Sequence, residues 1–117
     1  MKSTILALIL TTLMAFKSVD DNTIIGQWQN QQGTRSIEFY PSGSEINGKI
    51  ISDEDPTMVG RIVFTKLKYD GKTYQGACFL PKRNRTVQCT LKLTSPNTLA
   101  ITGKFGMFSD TKIWKRK

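Results

Sequence analysis

Histidine is absent from the 117 residues, and only two cysteines, two tryptophans and four prolines occur. Without an imidazole the chain has no ordinary general base near neutral pH, which removes Ser-His and Cys-His nucleophilic arrangements. Two cysteines and no histidine fall short of a four-ligand zinc site, and no C-x-x-C spacing is present for thiol redox chemistry. Helical periodicity and internal repeats are also missing, so no glycine-rich phosphate cradle leads into a helix. Acidic side chains are outnumbered, nine against seventeen Lys and Arg, for a formal charge of +8. Catalysis, a bound metal and a cofactor are therefore not expected. Paired carboxylates survive only in Asp53-Glu54-Asp55, which reads as a solvated connector rather than a calcium loop, because spaced ligands and a central glycine are lacking.

The amino terminus has a different character. Lys2 precedes a nearly unbroken apolar run from Ile5 to Phe16, interrupted only by Thr11 and Thr12. That span is short for a membrane helix and matches the apolar core of a secretory leader. Residues 1–18 are expected to be a signal peptide and residues 19–117 a single domain, periplasmic or secreted and not an integral membrane protein. Cleavage near Ser18 removes Lys2 and Lys17 and leaves fifteen basic against nine acidic side chains. A basic exported domain suits anionic lipid or polysaccharide; nucleic acid is not an expected partner.

After Asp20 the chain alternates in short runs separated by turn residues at roughly 8–12-residue spacing, the mark of an antiparallel barrel or sandwich. Val87, Cys89, Leu91 and Leu93 alternate with polar residues, and Leu99, Ile101, Gly103 and Phe105 do the same. Further runs cover 24–30, 36–40, 45–52, 58–69, 72–80 and 111–116, giving about eight strands. Gln32-Gly33, Ser42-Gly43, Asp70-Gly71 and Ser95-Pro96-Asn97 supply the turns. A meander of this length leaves two raw edges unless it closes, so the expected fold is all-β: an eight-stranded antiparallel up-and-down barrel.

The cysteines lie in Cys78-Phe79-Leu80-Pro81-Lys82-Arg83-Asn84-Arg85-Thr86-Val87-Gln88-Cys89. A two-residue turn at Arg83-Asn84 sets Lys82 against Arg85, Leu80 against Val87, and Cys78 against Cys89. In an oxidising compartment that register predicts a cross-strand disulfide worth roughly 2–3 kcal/mol. The register can slip by one residue, and two free buried thiols are the alternative, because Cys89 shares its face with Leu91 and Leu93. Lys82, Arg83 and Arg85 would then stand on the hairpin tip as a contact for an anionic surface, or as a solvated turn.

Gly26-x-Trp28 opens the first strand and Trp114-Lys115-Arg116 closes the last. In a closed meander these strands are neighbours, so Gly26, Trp28, Trp114 and Arg116 are expected at the seam, an indole plugging one end with the arginine stacked on it. This G-x-W pattern with a late basic residue resembles the lipocalin and calycin barrels. A longer match adds Ser36-Ile37-Glu38-Phe39-Tyr40, Gly48-Lys49-Ile50, Gly60, Gly76, Pro81, Leu99 to Gly103, and Thr111-x-x-Trp114-x-Arg116. It is similar to the family of small exported bacterial proteins called domain of unknown function 2147. The resemblance implies a lipocalin-like barrel and an envelope address, with no assigned activity. The hairpin departs from that family's pattern, with Leu80 before Pro81, Asn84 at a glycine and Val87 at an aromatic position. Gly26-x-Trp28-x-Asn30-Gln31-x-Gly33-Thr34 is also similar to the opening strand of avidin-type biotin binders, which implies ligand contacts for Asn30 and the following hydroxyl.

An eight-stranded barrel is either filled or just wide enough for one small ligand. A small apolar or amphipathic molecule is the expected ligand, in a pocket of about 300 Å³ or more open at one end. Phe39, Tyr40, Ile50, Tyr69, Tyr74, Leu91, Ile101 and Phe105 are its candidate lining, with the tyrosines at a mouth. The alternative is a non-enzymatic interaction protein of the envelope, using the basic tip against an anionic surface or a protein partner.

Overall fold

The computed structural model describes residues 23–117; the leader expected over 1–18 lies outside them. The described residues form eight strands: β1 (Gly26–Asn30), β2 (Arg35–Ser42), β3 (Glu45–Asp53), β4 (Ile62–Tyr69), β5 (Tyr74–Leu80), β6 (Arg85–Ser95), β7 (Thr98–Phe105) and β8 (Phe108–Arg116). Each pairs antiparallel with the next, and β8 pairs with β1 through Trp28↔Arg116, Gln29↔Lys115 and Asn30↔Trp114. The sheet is a closed up-and-down barrel. Closure leaves no strand with a free row of backbone donors and acceptors.

One interruption departs from the strand expected over 58–69. Pro56–Met58 forms a single 3₁₀ turn, capped by Asp55, whose carboxylate accepts the Thr57 N–H at 3.0 Å. Strand β4 therefore begins at Ile62. It also carries a bulge at Lys66, which takes a φ of 58° while its N–H donates to Asn47 Oδ1. The bulge is why two-residue alternation is blurred here: it turns both Phe64 and Leu67 inward although they are three apart. Gly76 on β5 accommodates it, since a Cβ there would lie 2.7 Å from the Thr65 carbonyl oxygen.

The cysteine hairpin corrects the expected register. Its turn spans four residues, not two: Pro81 sits second in a turn closed by Arg83 N–H to Leu80 O at 3.2 Å, and Asn84 takes a φ of 49°. Proline's fixed φ favours that place in a type I turn, and asparagine tolerates the left-handed region that returns the chain to the sheet. Pairing is thus Leu80↔Arg85, Cys78↔Val87 and Gly76↔Cys89. The cysteines are diagonal neighbours on the inner face, at a separation of about 7–8 Å typical of such pairs and beyond the usual Cα spacing of a disulfide. Both thiols are free, and the expected Cys78–Cys89 disulfide is absent.

Inside the barrel, Trp28, Phe39, Ile50, Leu67, Leu91 and Leu99 are fully buried with Ile24. Gly48 lets this layer close up, because a Cβ there would meet the Phe39 ring at 2.8 Å, and Phe39 stacks on Phe64 at 5.2 Å. The outward face carries charge on nearly every strand, among them Glu38, Lys49, Lys68, Lys92 and Lys104. It has no apolar band of the kind a membrane-spanning barrel turns to lipid.

Candidate functional site: a barrel sealed at one end and open at the other

The two ends differ. At one end the chain before β1 crosses the opening, Trp28 Nε1–H donates to Ile24 O at 2.9 Å, and the Arg116 guanidinium lies 4.3 Å from the Trp28 ring. Arg116 also donates to three main-chain carbonyls: Thr23 at 2.8 Å, Pro96 at 2.9 Å and Ile25 at 3.1 Å. Gly26 leaves room for it, since a Cβ would sit 3.2 Å from Arg116 Nη1, and its φ of 127° favours glycine. Gly26, Trp28 and Arg116 thus form one clamp. Trp114 is a correction: it belongs to the seam but not to this plug, being half-buried in the wall nearer the other end.

At the open end a cavity of about 220 Å³ descends between the strands, walled mainly by Ile37, Val63, Phe64, Val87, Ile101 and Phe105. Cys78, Cys89 and Trp114 also line it, and Arg35, Asp110 and Lys112 are its charged lining residues. The volume is smaller than expected because the Trp28–Phe39–Phe64 layer fills the lower half. A wider vestibule of about 720 Å³ lies above it, bounded by the β1–β2, β3–β4 and β5–β6 connections and by Phe105 of β7 and Asp110 and Lys112 of β8.

Of the expected lining, Ile101 and Phe105 face the cavity. Phe39, Ile50 and Leu91 are packed beneath it as filled core. The tyrosines are elsewhere. Tyr40 alternates outward and carries Lys49 at 5.3 Å over its ring. Tyr69 and Tyr74 stack at 4.7 Å beside the β4–β5 and β6–β7 turns, at the sealed end. Their places follow from strand parity and from the bulge, which strand patterns alone did not locate. Missed by sequence reasoning were Ile37 as wall, Val63, Phe64 and Arg35. The odd polar residue at the start of β2 was the available signal for Arg35.

Electrostatics at the mouth are compensated. Arg35 Nε–H donates to Asp53 Oδ2 at 2.6 Å. Burial pushes the Asp53 carboxyl up, but the Asp55 N–H and the Arg35 guanidinium outweigh it and hold it below the usual range. In the wall, burial pushes the Cys78 thiol up to about 11 and the Cys89 thiol up to about 12, so both stay protonated and unreactive near neutrality. Lys82, Arg83 and Arg85 are all exposed on their tip, and the Arg83 guanidinium lies over the Phe105 ring at 5.3 Å, at the edge of the vestibule. The Asn30 carboxamide is committed to the β1–β2 turn: it donates to Thr34 Oγ1 at 2.8 Å and accepts from the N–H groups of Thr34 and Arg35. The groups that the avidin-like resemblance assigns to a ligand are therefore spent on the turn.

Comparison with known proteins agrees with this architecture. The family described as "Uncharacterized protein conserved in bacteria (DUF2147)" matches residues 26–116. Protein HP1028 from the human pathogen Helicobacter pylori, described as belonging to the lipocalin family, is similar with a TM-score of 0.65 at 20% identity, over 81% of this chain and 83% of that one. A redesigned β-barrel is similar with a TM-score of 0.53 at 21% identity, over 84% of this chain and 95% of that one. At such identities the likeness is one of fold. No curated protein matches the sequence.

Proposed function

The chain belongs to the DUF2147 family of bacterial proteins, and from that premise we propose that it is an exported, non-enzymatic binding protein whose cavity holds a small amphipathic molecule. The observation that carries this reading is the contrast between the ends, a clamp at one and an apolar cavity of about 220 Å³ at the other. A cavity of about 150 Å³ lined by aliphatic and aromatic side chains suffices for benzene. The space here suits one ring or a short alkyl chain, with its polar head left at Arg35 and Lys112. The one carboxylate lining the cavity, Asp110, is paired with Lys112 at 3.7 Å near the mouth, and the two thiols are held protonated, which supports binding without chemistry. The apolar run from Ile5 to Phe16 behind Lys2 supports export.

Calorimetric titration with a matched acid, alcohol and amine bearing the same short alkyl chain tests the cavity. Binding of the acid and alcohol, abolished by Val87→Phe, is expected. Failure of all three, together with a mass from the native host that never carries an adduct, would sink the reading. A second reading is favoured by the exposure of Lys82 and Arg85 beside the mouth: contact of this rim with an anionic surface.

A further inference from the structure

The rim of the open mouth holds a feature that neither the fold nor the cavity uses. Met107 is 98% exposed and Phe108 79% exposed, adjacent on the β7–β8 tip. The turn requires only Gly106, whose φ of 63° fits the first place of a two-residue hairpin turn between Phe105 and Phe108. A polar residue would serve the second place better, so Met107 adds nothing to the turn. Among the described residues the other exposed large apolar side chains, Val59, Ile62 and Tyr69, are only about half exposed, and an adjacent pair this exposed on a hairpin tip is not needed for solubility or packing.

The neighbouring β5–β6 tip is in contact with this one. Arg83 lies over Phe105 at 5.3 Å, which joins the two hairpins into a single lip. Arg85 opens β6 directly after that tip, and Lys104 pairs with Ser109 beside Phe108. Lys82, Arg83, Arg85 and Lys104 thus collar the apolar pair, with Lys112 further down β8, where Asp110 lies 3.7 Å from its ammonium. Glu54 and Asp55 sit on the β3–β4 connection and line the same vestibule as Lys82, Arg83 and Phe105. The β5–β6 and β7–β8 side of the rim is thus the more basic and the more apolar, while on the β3–β4 side Arg61 offsets only part of the Glu54 and Asp55 charge.

We infer that this lip docks on an anionic lipid bilayer, with Met107 and Phe108 entering the headgroup–acyl boundary and the basic collar resting on the headgroups. Charge complementarity selects the partner, and the apolar pair distinguishes a bilayer from an anionic polysaccharide, which offers no hydrocarbon to enter. Interfacial proteins combine these two contributions, buried apolar area and attraction to anionic lipid. The β3–β4 side, with Glu54 and Asp55 only partly offset by Arg61, is less attracted to the same surface, so the barrel settles tilted onto its basic lip. In that pose the cavity mouth stands beside the bilayer. The inference deepens the second reading and rests on it, and is independent of what fills the cavity.

The test uses the protein as its host makes it, with a reporter local to the tip, because the run from Ile5 to Phe16 would itself bind lipid wherever it is retained. Met107→Trp places an indole on the lip, and Tyr69→Trp places one at the sealed end as control. Vesicles of zwitterionic lipid with about one-third anionic lipid, carrying brominated acyl chains, quench an indole that reaches the boundary. Quenching of Met107→Trp but not of Tyr69→Trp, lost in vesicles without anionic lipid, is the expected result. In Met107→Trp, neutralising Lys82 or Arg85 to Gln should weaken binding about fivefold each. With the indole moved to the neighbouring exposed Ser109, Phe108→Ser should weaken binding about tenfold. Salt-sensitive binding without quenching at the tip overturns the insertion while leaving the anionic-surface reading in place. Absence of binding to anionic vesicles overturns both, and equal quenching at both ends overturns the orientation.

Discussion

Replacing Arg116 by alanine removes four interactions that hold the sealed end together. The guanidinium donates to the carbonyls of Thr23, Ile25 and Pro96 and stacks on Trp28 at 4.3 Å. Hydrogen bonds from charged donors are worth about 1.5–3 kcal/mol each when buried. Here the Thr23 and Ile25 carbonyls are part-buried and that of Pro96 is exposed, so water replaces some of the loss. Together with about 1 kcal/mol from the stacking, the expected cost is about 3 kcal/mol. For a domain of this size that corresponds to a fall in Tm of roughly 12–24 °C. Arg116→Lys keeps the stem over the indole but reaches fewer carbonyls, so it should lose about 2 kcal/mol. Urea unfolding followed by tryptophan fluorescence measures both, Trp28 lying within the clamp. A loss below about 1 kcal/mol for Arg116→Ala, or a lysine variant as stable as the parent, would refute the clamp.

Other consequences can be measured on the same material. Gly76→Ala should destabilise by about 2–4 kcal/mol, because its methyl would strike the Thr65 carbonyl at 2.7 Å; a normal urea midpoint would contradict the bulge geometry. Lys66→Gly, at a φ of 58°, should be neutral or stabilising by up to about 1 kcal/mol, where glycine elsewhere in a strand weakens it. Asp53 and the turn carboxylates of Asp55, which accepts the Thr57 hydroxyl and N–H, and Asp70, which accepts the Thr73 and Lys72 N–H groups, are held below the ordinary 3.8. Their contribution is complete above that value and lost as pH falls through the lowered folded values, so acid unfolding should set in below about pH 4. The cysteines work in the opposite direction, since their raised folded pKa values make stability fall above about pH 9, and Cys89→Ala should lessen that fall. Alkylation at neutral pH should label the folded protein slowly and two thiols after unfolding; a mass showing a disulfide would contradict the hairpin register.

Amino-acid order alone determined the architecture. Two-residue alternation, regularly spaced turn residues and a tryptophan at each end specified eight strands that must close, because an open meander of that length would expose two edges. Gly26 and Arg116 were legible for the same reason, as fixed parts of a seam between first and last strands. Only the tertiary structure decided what those strands enclose. The Pro81–Asn84 turn shifted the cysteine pair by two residues, and the Lys66 bulge reversed the parity of β4. Each is a local choice of turn or bulge that strand periodicity does not encode, and each moves side chains between core, cavity wall and surface. The division of the interior into a filled base and an open cavity arises likewise from Phe39 and Phe64 closing over Gly48, residues on three strands that meet only when the barrel shuts.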